Sequence, residues 1–385
     1  MGRMTPGAEA AGSKARRTPR CASVMVALVV AAHAVAADPP HRTLVLVSGR
    51  TYEGVIEERD DGNFYVADIE LVVLRDFVSR IEQRTPAELI APWRAEIEAK
   101  STSDEVLTFV KFAMFNRLER AHATWGLERW KTQRNQTDDP AWEVSLTTHF
   151  AICAQVRDAR LTEYAELLEK ALADFGVKLP SKRTPGLDFL VRIYRDRELY
   201  VRETKCPGSA GVYMPGQREL AIFDEVGRKA DTIGTILHEA LHQYMNEYYN
   251  GCSTQCWWYE EGLAEYHSTA RVTAGQLSGS GGKIAAHIDR LRVLVRTQAL
   301  DLKKYWKCDY AAFLADGIQG YSLAWALVHF FFNTKDPAYQ KAWQRWVSTQ
   351  PTVKPHHLGR LFDMTLGRLD LEQLRKDLTR YIESL

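Results

Sequence analysis

Short runs of alternating apolar and polar residues fill the chain just after residue 40. The runs include Leu44–Val47, Tyr52–Ile56 and Phe64–Val66. Turn-forming stretches that contain Gly49 and Gly62 separate them. Alternation with a period of two between glycine-containing turns is typical of antiparallel strands. We therefore predict a small β unit over residues 43–83, which carries no catalytic group of residues and is interpreted as a structural or docking module.

Apolar residues then recur at helical spacing over residues 86–133. Two stretches have core-facing positions three and four residues apart, namely Leu89, Ile90, Trp93 and Ile97, then Val106, Phe109, Val110 and Ala113. The two stretches are compatible with a helical hairpin or with one repeat of an α-array. The polar stretch 134–140, which ends in Pro140, is predicted to be a linker.

Residues 141–385 begin with strand patterns and continue with helical ones. Two strands and the amphipathic helix between them are predicted at His149–Ile152, Phe189–Tyr194 and Leu161–Phe175. Two more β-prone runs surround Pro215 and Gly216, which predicts a hairpin. From Lys283 onward the pattern is helical. The fold class is therefore α+β, with a small sheet ahead of a helical C-terminal part.

The first 36 residues predict a secretory signal peptide. Basic residues from Lys14 to Arg20 precede an apolar run, Ala22–Ala32, and Ala34-Val35-Ala36 offers a cleavage site. A run of eleven apolar residues is too short to span a membrane. The sequence thus predicts export to the periplasm or the extracellular space, with no stable membrane span after cleavage.

Charge and cysteine count narrow the class of protein further. Removal of residues 1–36 takes five basic and one acidic residue from the 50 and 49 of the chain, which leaves 45 and 48 and a net charge of −3. A weakly acidic protein lacks the electrostatic footprint of a nucleic-acid binder. Cys252 and Cys256 are two of the five remaining cysteines, and their spacing permits a disulfide in an exported protein. A pairing that involves Cys206 is equally open.

His238, Glu239 and His242 form a His-Glu-x-x-His pattern inside an apolar helical stretch. Residues four apart share one helix face, so both imidazoles can bind one metal ion. Glu239 is close enough to reach a water on that ion. Catalytic zinc needs a third protein ligand and an open fourth position, and Glu261, nineteen positions after His242, is the best candidate. We expect one Zn²⁺ per chain.

At these residues the chain resembles the gluzincin metallopeptidases. In that group a glutamate on a second helix follows the His-Glu-x-x-His pattern. Trp258 and Glu261–Ala264 resemble the Trp-x-x-Glu-Gly-[Phe/Leu]-Ala stretch of its aminopeptidase branch. The residues of the two motifs are most similar to those of an uncharacterised exported bacterial peptidase-MA-like family. The resemblance covers about residues 142–340. It implies a gluzincin-like catalytic domain with three metal ligands and a general base, which are His238, His242, Glu261 and Glu239.

The resemblance implies further roles outside this motif. Glu265 matches an acidic residue that orients a ligand histidine, whereas Glu260 is interpreted as a solvated helix carboxylate. Tyr321 matches a tyrosine that hydrogen-bonds the tetrahedral oxyanion. An edge strand that binds extended substrate through its backbone is expected at Leu220, Ala221 and Ile222. The unit at 43–83 is similar to the five-stranded Sm- and SH3-like barrels that precede other domains in some exported bacterial proteins, with no docking partner indicated.

These features predict an exported zinc metallopeptidase of the His-Glu-x-x-His-x18-Glu type, which acts on a peptide or protein substrate with metal-activated water. One alternative is a catalytically inactive, zinc-stabilised binding or scaffold protein. Another is a metal-dependent amidase that acts on cell-wall amides. The intact Glu239 favours a catalytic site, because a purely structural zinc site needs no base. Substrate, exo- or endo-action and oligomeric state are not indicated by the sequence.

Overall fold

The computed structural model of the protein describes residues 41–49, 51–66, 71–82, 85–137, 141–181, 183–224, 229–249, 256–273, 275–353 and 357–385. The predicted signal peptide, residues 1–36, lies outside these residues, and so does Cys252. The predicted α+β class is confirmed. Two five-stranded sheets precede a C-terminal part that is almost entirely helical.

The N-terminal sheet is antiparallel. Its strands are β1 (His41–Leu46), β2 (Thr51–Glu58), β3 (Phe64–Val66), β4 (Leu71–Val73) and β5 (Val78–Glu82), in the spatial order β4-β3-β2-β1-β5. Its small hydrophobic core includes Leu44, Ile56 and Phe64. Among the described residues the outer strands β4 and β5 do not pair, so the sheet is open and the expected closed barrel is not formed. β4 is only three residues long, and β5 returns to pair with β1.

Three helices follow this sheet, namely α1 (Pro86–Ala99), α2 (Ser103–Phe115) and α3 (Arg120–Arg134). The first two begin at Thr85 and Thr102, where the side chain and the backbone of the cap residue exchange hydrogen bonds with the third helical residue. In the predicted linker, the Asn135 side chain hydrogen-bonds the backbone N–H and carbonyl of Trp142. These bonds fix the chain where the second sheet begins.

The second sheet is mixed. Its strands are β6 (Glu143–Leu146), β7 (Phe150–Ala154), β8 (Phe189–Tyr194), β9 (Gly211–Met214) and β10 (Glu219–Phe223), in the order β6-β7-β8-β10-β9. β7, β8 and β10 are parallel, while β6 and β9 run antiparallel to their neighbours. The predicted hairpin around Pro215 and Gly216 is confirmed as β9 and β10.

Helices cover both faces of this sheet. On one face, alternate residues such as Ile152 pack against α4 (Asp158–Lys178) and α6 (Lys229–Tyr248). On the other face, the residues between these, such as Cys153, pack against α1, α2 and α3. A sheet covered on both faces has no polar side, and the inner strand β7 is accordingly apolar and buried along its whole length. The helical segment therefore shares one hydrophobic core with the sheet.

The remaining elements are mainly helical. They are α5 (Arg197–Thr204), α7 (Trp257–Ser268), a ribbon of β11 (Arg271–Thr273) and β12 (Gln276–Ser278), α8 (Ala285–Arg296), α9 (Leu302–Trp306), α10 (Tyr310–Ala315), α11 (Ile318–Asn333), α12 (Pro337–Thr349), α13 (Leu358–Met364) and α14 (Leu371–Ser384). α7 lies between α6 and α11. Across the described part of the chain, each helix is too short or too polar to cross a membrane.

Candidate metal centre

Helices α6 and α7 bring three ligand groups of the predicted set together. His238 and His242 lie one turn apart on α6, and Glu261 lies on α7. The two histidine Nε2 atoms are 3.2 Å apart. Oε2 of Glu261 lies 3.4 Å from Nε2 of His238 and 3.5 Å from Nε2 of His242. The three atoms thus form a nearly equilateral triangle.

This triangle fits a tetrahedral zinc ion. Zinc bonds to nitrogen and oxygen of about 2.0–2.1 Å place adjacent ligand atoms about 3.3 Å apart. Oε2 of Glu261 is buried and has no hydrogen-bond partner among the described residues. A buried carboxylate oxygen in that state is costly unless a cation or a donor satisfies it. The ligand set is also of the type that zinc prefers, with two imidazoles and one carboxylate.

The electrostatics of the cluster indicate strong coupling between its members. Burial acts to lower the pKa of His242, but the carboxylates of Glu261 and Glu260 outweigh it and hold that pKa well above its ordinary value. The pKa of His238 is also raised, because Glu261 and Glu265 outweigh burial. Burial acts to raise the pKa of Glu261, but the two histidines lower it to about 2. In the metal-free protein the two histidines and Glu261 therefore stabilise one another's charged forms.

Each ligand histidine turns its Nδ1 toward a different carboxylate of α7. Nδ1 of His242 lies 3.1 Å from Oε1 of Glu260, and Nδ1 of His238 lies 3.6 Å from Oε1 of Glu265. Acceptors at Nδ1 keep the proton there and leave Nε2 free to bind a metal. The expectation that Glu260 is solvated was wrong, since Glu260 is 2% exposed.

Glu239 lies beside the triangle and takes no part in it. Its Oε2 accepts a hydrogen bond of 2.8 Å from the backbone N–H of Tyr213 on β9. Gly211 allows this approach, because a Cβ there would lie 2.7 Å from Thr235 and 3.0 Å from Cγ of Glu239. The Tyr213 hydroxyl is also bound to α6, through a 2.8 Å hydrogen bond from Asn246. The strand is therefore fixed directly against the helix that carries the motif.

The predicted edge strand was assigned to the wrong half of the hairpin. Leu220, Ala221 and Ile222 are fully buried in β10, which lies between β8 and β9. The edge strand beside α6 is β9, because it pairs only with β10 within the described sheet. Residues of an antiparallel strand alternate between facing their partner strand and facing away from it. Since the N–H of Tyr213 faces Glu239, the outward-facing positions are Gly211 and Tyr213.

Tyr321 lies near the metal centre, in the first turns of α11. Its ring packs edge-on against Phe313, with centroids 5.2 Å apart. Burial raises the pKa of Tyr321, and the negative charges of Glu261 and Glu239 raise it further. The hydroxyl is therefore a hydrogen-bond donor at neutral pH. Its action on an oxyanion stays a prediction.

Gly262 determines how closely α7 and α11 pack. A Cβ at this position would lie 2.3 Å from the carbonyl oxygen of Ala324. Only glycine allows the two backbones to approach in this way. The residue next to the ligand Glu261 thus fixes how the second metal helix packs.

Two partners of the motif were missed by sequence reasoning, namely Glu260 and His287. Helix α7 is buried around almost its whole circumference, including Trp258, Tyr259 and Leu263. That all-round apolar pattern is a signal that Glu260 would be buried and would need a partner. His287, on α8, lies 3.2 Å from Glu265, and no spacing in the sequence indicates this contact.

The predicted disulfide lies partly outside the described residues. Cys256 is buried at the beginning of α7, and Cys252 is not among the residues that the structure describes. The pairing therefore stays a prediction.

Comparison with known proteins gives a match to part of the helical C-terminal region. A family model described as a protein of unknown function, DUF1570, matches residues 232–353. This range holds the four motif residues and Tyr321, and it excludes both five-stranded sheets. None of the curated proteins matches the chain.

Proposed function

We propose that the chain is an exported zinc-dependent peptidase. The observation that carries the proposal is the triangle of Nε2, Nε2 and Oε2 atoms with sides of 3.2, 3.4 and 3.5 Å, beside which Glu239 is held but not used as a ligand. A site with three protein ligands and a spare carboxylate is the arrangement of hydrolytic zinc centres. Export rests on the signal-like pattern of residues 1–36.

His238, His242 and Glu261 would hold the zinc ion. When bound, zinc lowers the pKa of a coordinated water to about 7 and polarises a carbonyl group. Glu260 would accept a hydrogen bond from Nδ1–H of His242, and Glu265, 3.6 Å from Nδ1 of His238, would attract the proton there, so that each ring presents Nε2.

Glu239 would move the proton in hydrolysis. One of its carboxylate oxygens is fixed by the Tyr213 N–H, and we assign proton transfer to the other. The carboxylate takes a proton from the attacking water and then delivers it to the leaving amine. The hydrogen bond to β9 restricts rotation of the carboxylate, so little ordering remains to be done when substrate binds.

Substrate would bind as an additional strand beside β9. The Tyr213 N–H is occupied by Glu239, so the backbone groups suited to pair with an extended peptide are those of Gly211 and the carbonyl of Tyr213. Such pairing recognises the backbone and does not depend on peptide sequence. The Tyr321 hydroxyl would donate a hydrogen bond to the oxyanion that develops on the scissile carbonyl.

The test is a peptide-library digest followed by mass spectrometry. It compares the purified protein, the protein treated with a chelator and then with zinc, and the Glu239→Gln variant. We expect cleavage that the chelator abolishes and zinc restores. Glu239→Gln keeps the size and polarity of the side chain but cannot take a proton, so it should keep zinc and cleave about 10²- to 10⁴-fold more slowly.

Each other outcome points away from the proposal. Cleavage by Glu239→Gln at the parental rate would contradict the assigned mechanism. Zinc binding without cleavage of any peptide would favour the scaffold alternative. Cleavage of cell-wall amides in place of the peptide library would favour the amidase alternative.

A further inference from the structure

His287 lies at the end of a chain of polar contacts that begins at the metal ligand His238. It sits on α8 and is only 6% exposed. Its Nε2 lies 3.2 Å from Oε2 of Glu265. Its Nδ1 lies 3.0 Å from Oγ of Ser322, on α11. The chain His238, Glu265, His287, Ser322 therefore joins four helices, α6, α7, α8 and α11.

The partners of His287 decide which ring nitrogen carries the proton. A carboxylate is only an acceptor, so Nε2 must donate to Glu265. Nδ1 is then the acceptor of the neutral ring. Nη1 of Arg290, which can only donate, lies 3.5 Å from Nδ1. The Ser322 hydroxyl lies 3.0 Å from Nδ1 and also donates to the Ile318 carbonyl at 2.9 Å, so its one hydrogen is shared between the two. The Arg290 guanidinium therefore favours the tautomer in which Nδ1 has no hydrogen.

Each carboxylate oxygen of Glu265 faces a different histidine. One of its oxygens, Oε2, faces His287, and the other, Oε1, faces Nδ1 of His238 at 3.6 Å. Glu265 is the most exposed of the three α7 carboxylates at the site, with 20% of its side chain exposed. A glutamate with that freedom needs a second contact to stay directed at His238. His287 supplies that contact from a fully packed position, beside the Trp325 ring.

We propose that His287 is a positioning residue of the metal site, which directs Glu265 at His238 and, through Ser322, ties the metal centre to the helix that carries Tyr321. The inference rests on the proposed zinc site. His287 suits this task because a neutral imidazole donates from one nitrogen and accepts at the other. Glutamine also offers a donor and an acceptor, whereas leucine offers neither.

The test measures zinc affinity by competition with a chromophoric chelator. His287→Leu should weaken zinc binding about 10- to 100-fold, the usual cost of losing an outer partner of a metal ligand. His287→Gln should restore most of the affinity. The visible spectrum of the Co²⁺-loaded protein should change in His287→Leu and return toward the parental spectrum in His287→Gln, because it reports ligand geometry directly.

His329→Leu is the matched control. His329 is also 6% exposed, and its two nitrogens contact the Tyr381 hydroxyl at 2.6 Å and the Gly281 carbonyl at 3.0 Å, neither of which belongs to a metal ligand or to a partner of one. This variant should lower the midpoint of thermal unfolding without changing zinc affinity. The comparison separates a loss of general packing from a loss of ligand orientation.

A measurement on the parent protein decides the matter if His287→Leu does not fold. Nitrogen–proton correlation of labelled histidine rings should show His287 as the Nε2–H tautomer, assigned by its disappearance in His287→Gln. Parental zinc affinity in a folded His287→Leu, or an Nδ1–H tautomer, would overturn the inference. Failure of the parent protein itself to bind zinc would instead overturn the proposed function.

Discussion

Glu239 and Glu260 are both carboxylates next to a metal ligand in sequence, yet they have different partners. Glu239 is bound by the backbone of a strand, and Glu260 is bound by the ring of His242. The difference arises from the elements packed on each helix face: β9 lies against one side of α6, and α7 lies against another. The motif itself is readable from sequence, but these partners are not, because they depend on contacts between distant segments.

At the residue scale the first prediction concerns pH. His238 and His242 have raised pKa values in the metal-free protein, so each keeps its proton to a higher pH than an ordinary histidine does. Those protons stabilise the metal-free fold fully below the ordinary histidine pKa of about 6.5, and the stabilisation is lost as the pH rises through the raised values. Zinc binds only neutral imidazole and must displace the protons. Zinc should therefore raise the midpoint of thermal unfolding more at about pH 8 than at about pH 6.

Calorimetry measures the same protons directly. Zinc titrations near neutral pH, in two buffers that differ in ionisation enthalpy, should show a release of protons from the site. The same apparent binding enthalpy in both buffers would mean that no proton is released, which contradicts the assignment of two imidazoles as ligands.

At the element scale, the crossing of α7 and α11 holds the second metal helix in place. Gly262 makes this crossing possible, because its missing side chain leaves room for the Ala324 carbonyl. The α6 and α7 helices and the hairpin of β9 and β10 were predictable from local patterns of apolar residues. The position of β9 at the edge was not, because strand order is a long-range property that alternation within one strand does not encode.

The second prediction tests that crossing by the change Gly262→Ala. The new Cβ would lie 2.3 Å from a backbone oxygen, so the helices must move apart. We expect a loss of about 1–3 kcal/mol in the free energy of unfolding, and weaker zinc binding because Glu261 is the next residue. Urea denaturation and the chelator competition measure the two effects.

The control for this change is Gly176→Ala. Gly176 lies in the last turns of α4, and a Cβ there would meet no atom within 4 Å. Alanine in an open helical position should stabilise the protein by about 0.5–1 kcal/mol. If both variants gain stability, α7 and α11 do not cross at Gly262 as described.

At the scale of the whole molecule, the helical segment and the sheet behave as one packed unit. Lys111 of α2 and Arg192 of β8 both pair with Glu219 of β10, and the Lys111–Glu219 distance is 2.9 Å. Glu219 is fully buried, and its pKa is lowered because the two cations outweigh burial. The apolar pattern predicted helices over residues 86–133. Because the polar stretch 134–140 was interpreted as a linker, the packing of these helices on the sheet was not predicted.

The third prediction tests this joint by the change Lys111→Met. Removal of one partner from a buried ion cluster leaves part of a buried charge uncompensated, which costs about 3 kcal/mol. Lys170→Met is the control, because Lys170 pairs with the more exposed Glu166, 62% of whose side chain is exposed, and its loss should cost less than about 0.5 kcal/mol. Equal effects of the two changes on urea denaturation would show that the cluster does not join the helices to the sheet.

The most direct test of the metal centre is the zinc content of the dialysed protein, measured by elemental mass spectrometry. We predict about one zinc ion per chain in the parent protein, as a three-ligand site implies. Glu261→Ala should remove most of the zinc, whereas Glu166→Ala, a change at an exposed helix carboxylate that pairs with Lys170, should keep it. Full zinc content in Glu261→Ala, or a parent protein that retains no zinc, would contradict the metal centre assigned to His238, His242 and Glu261.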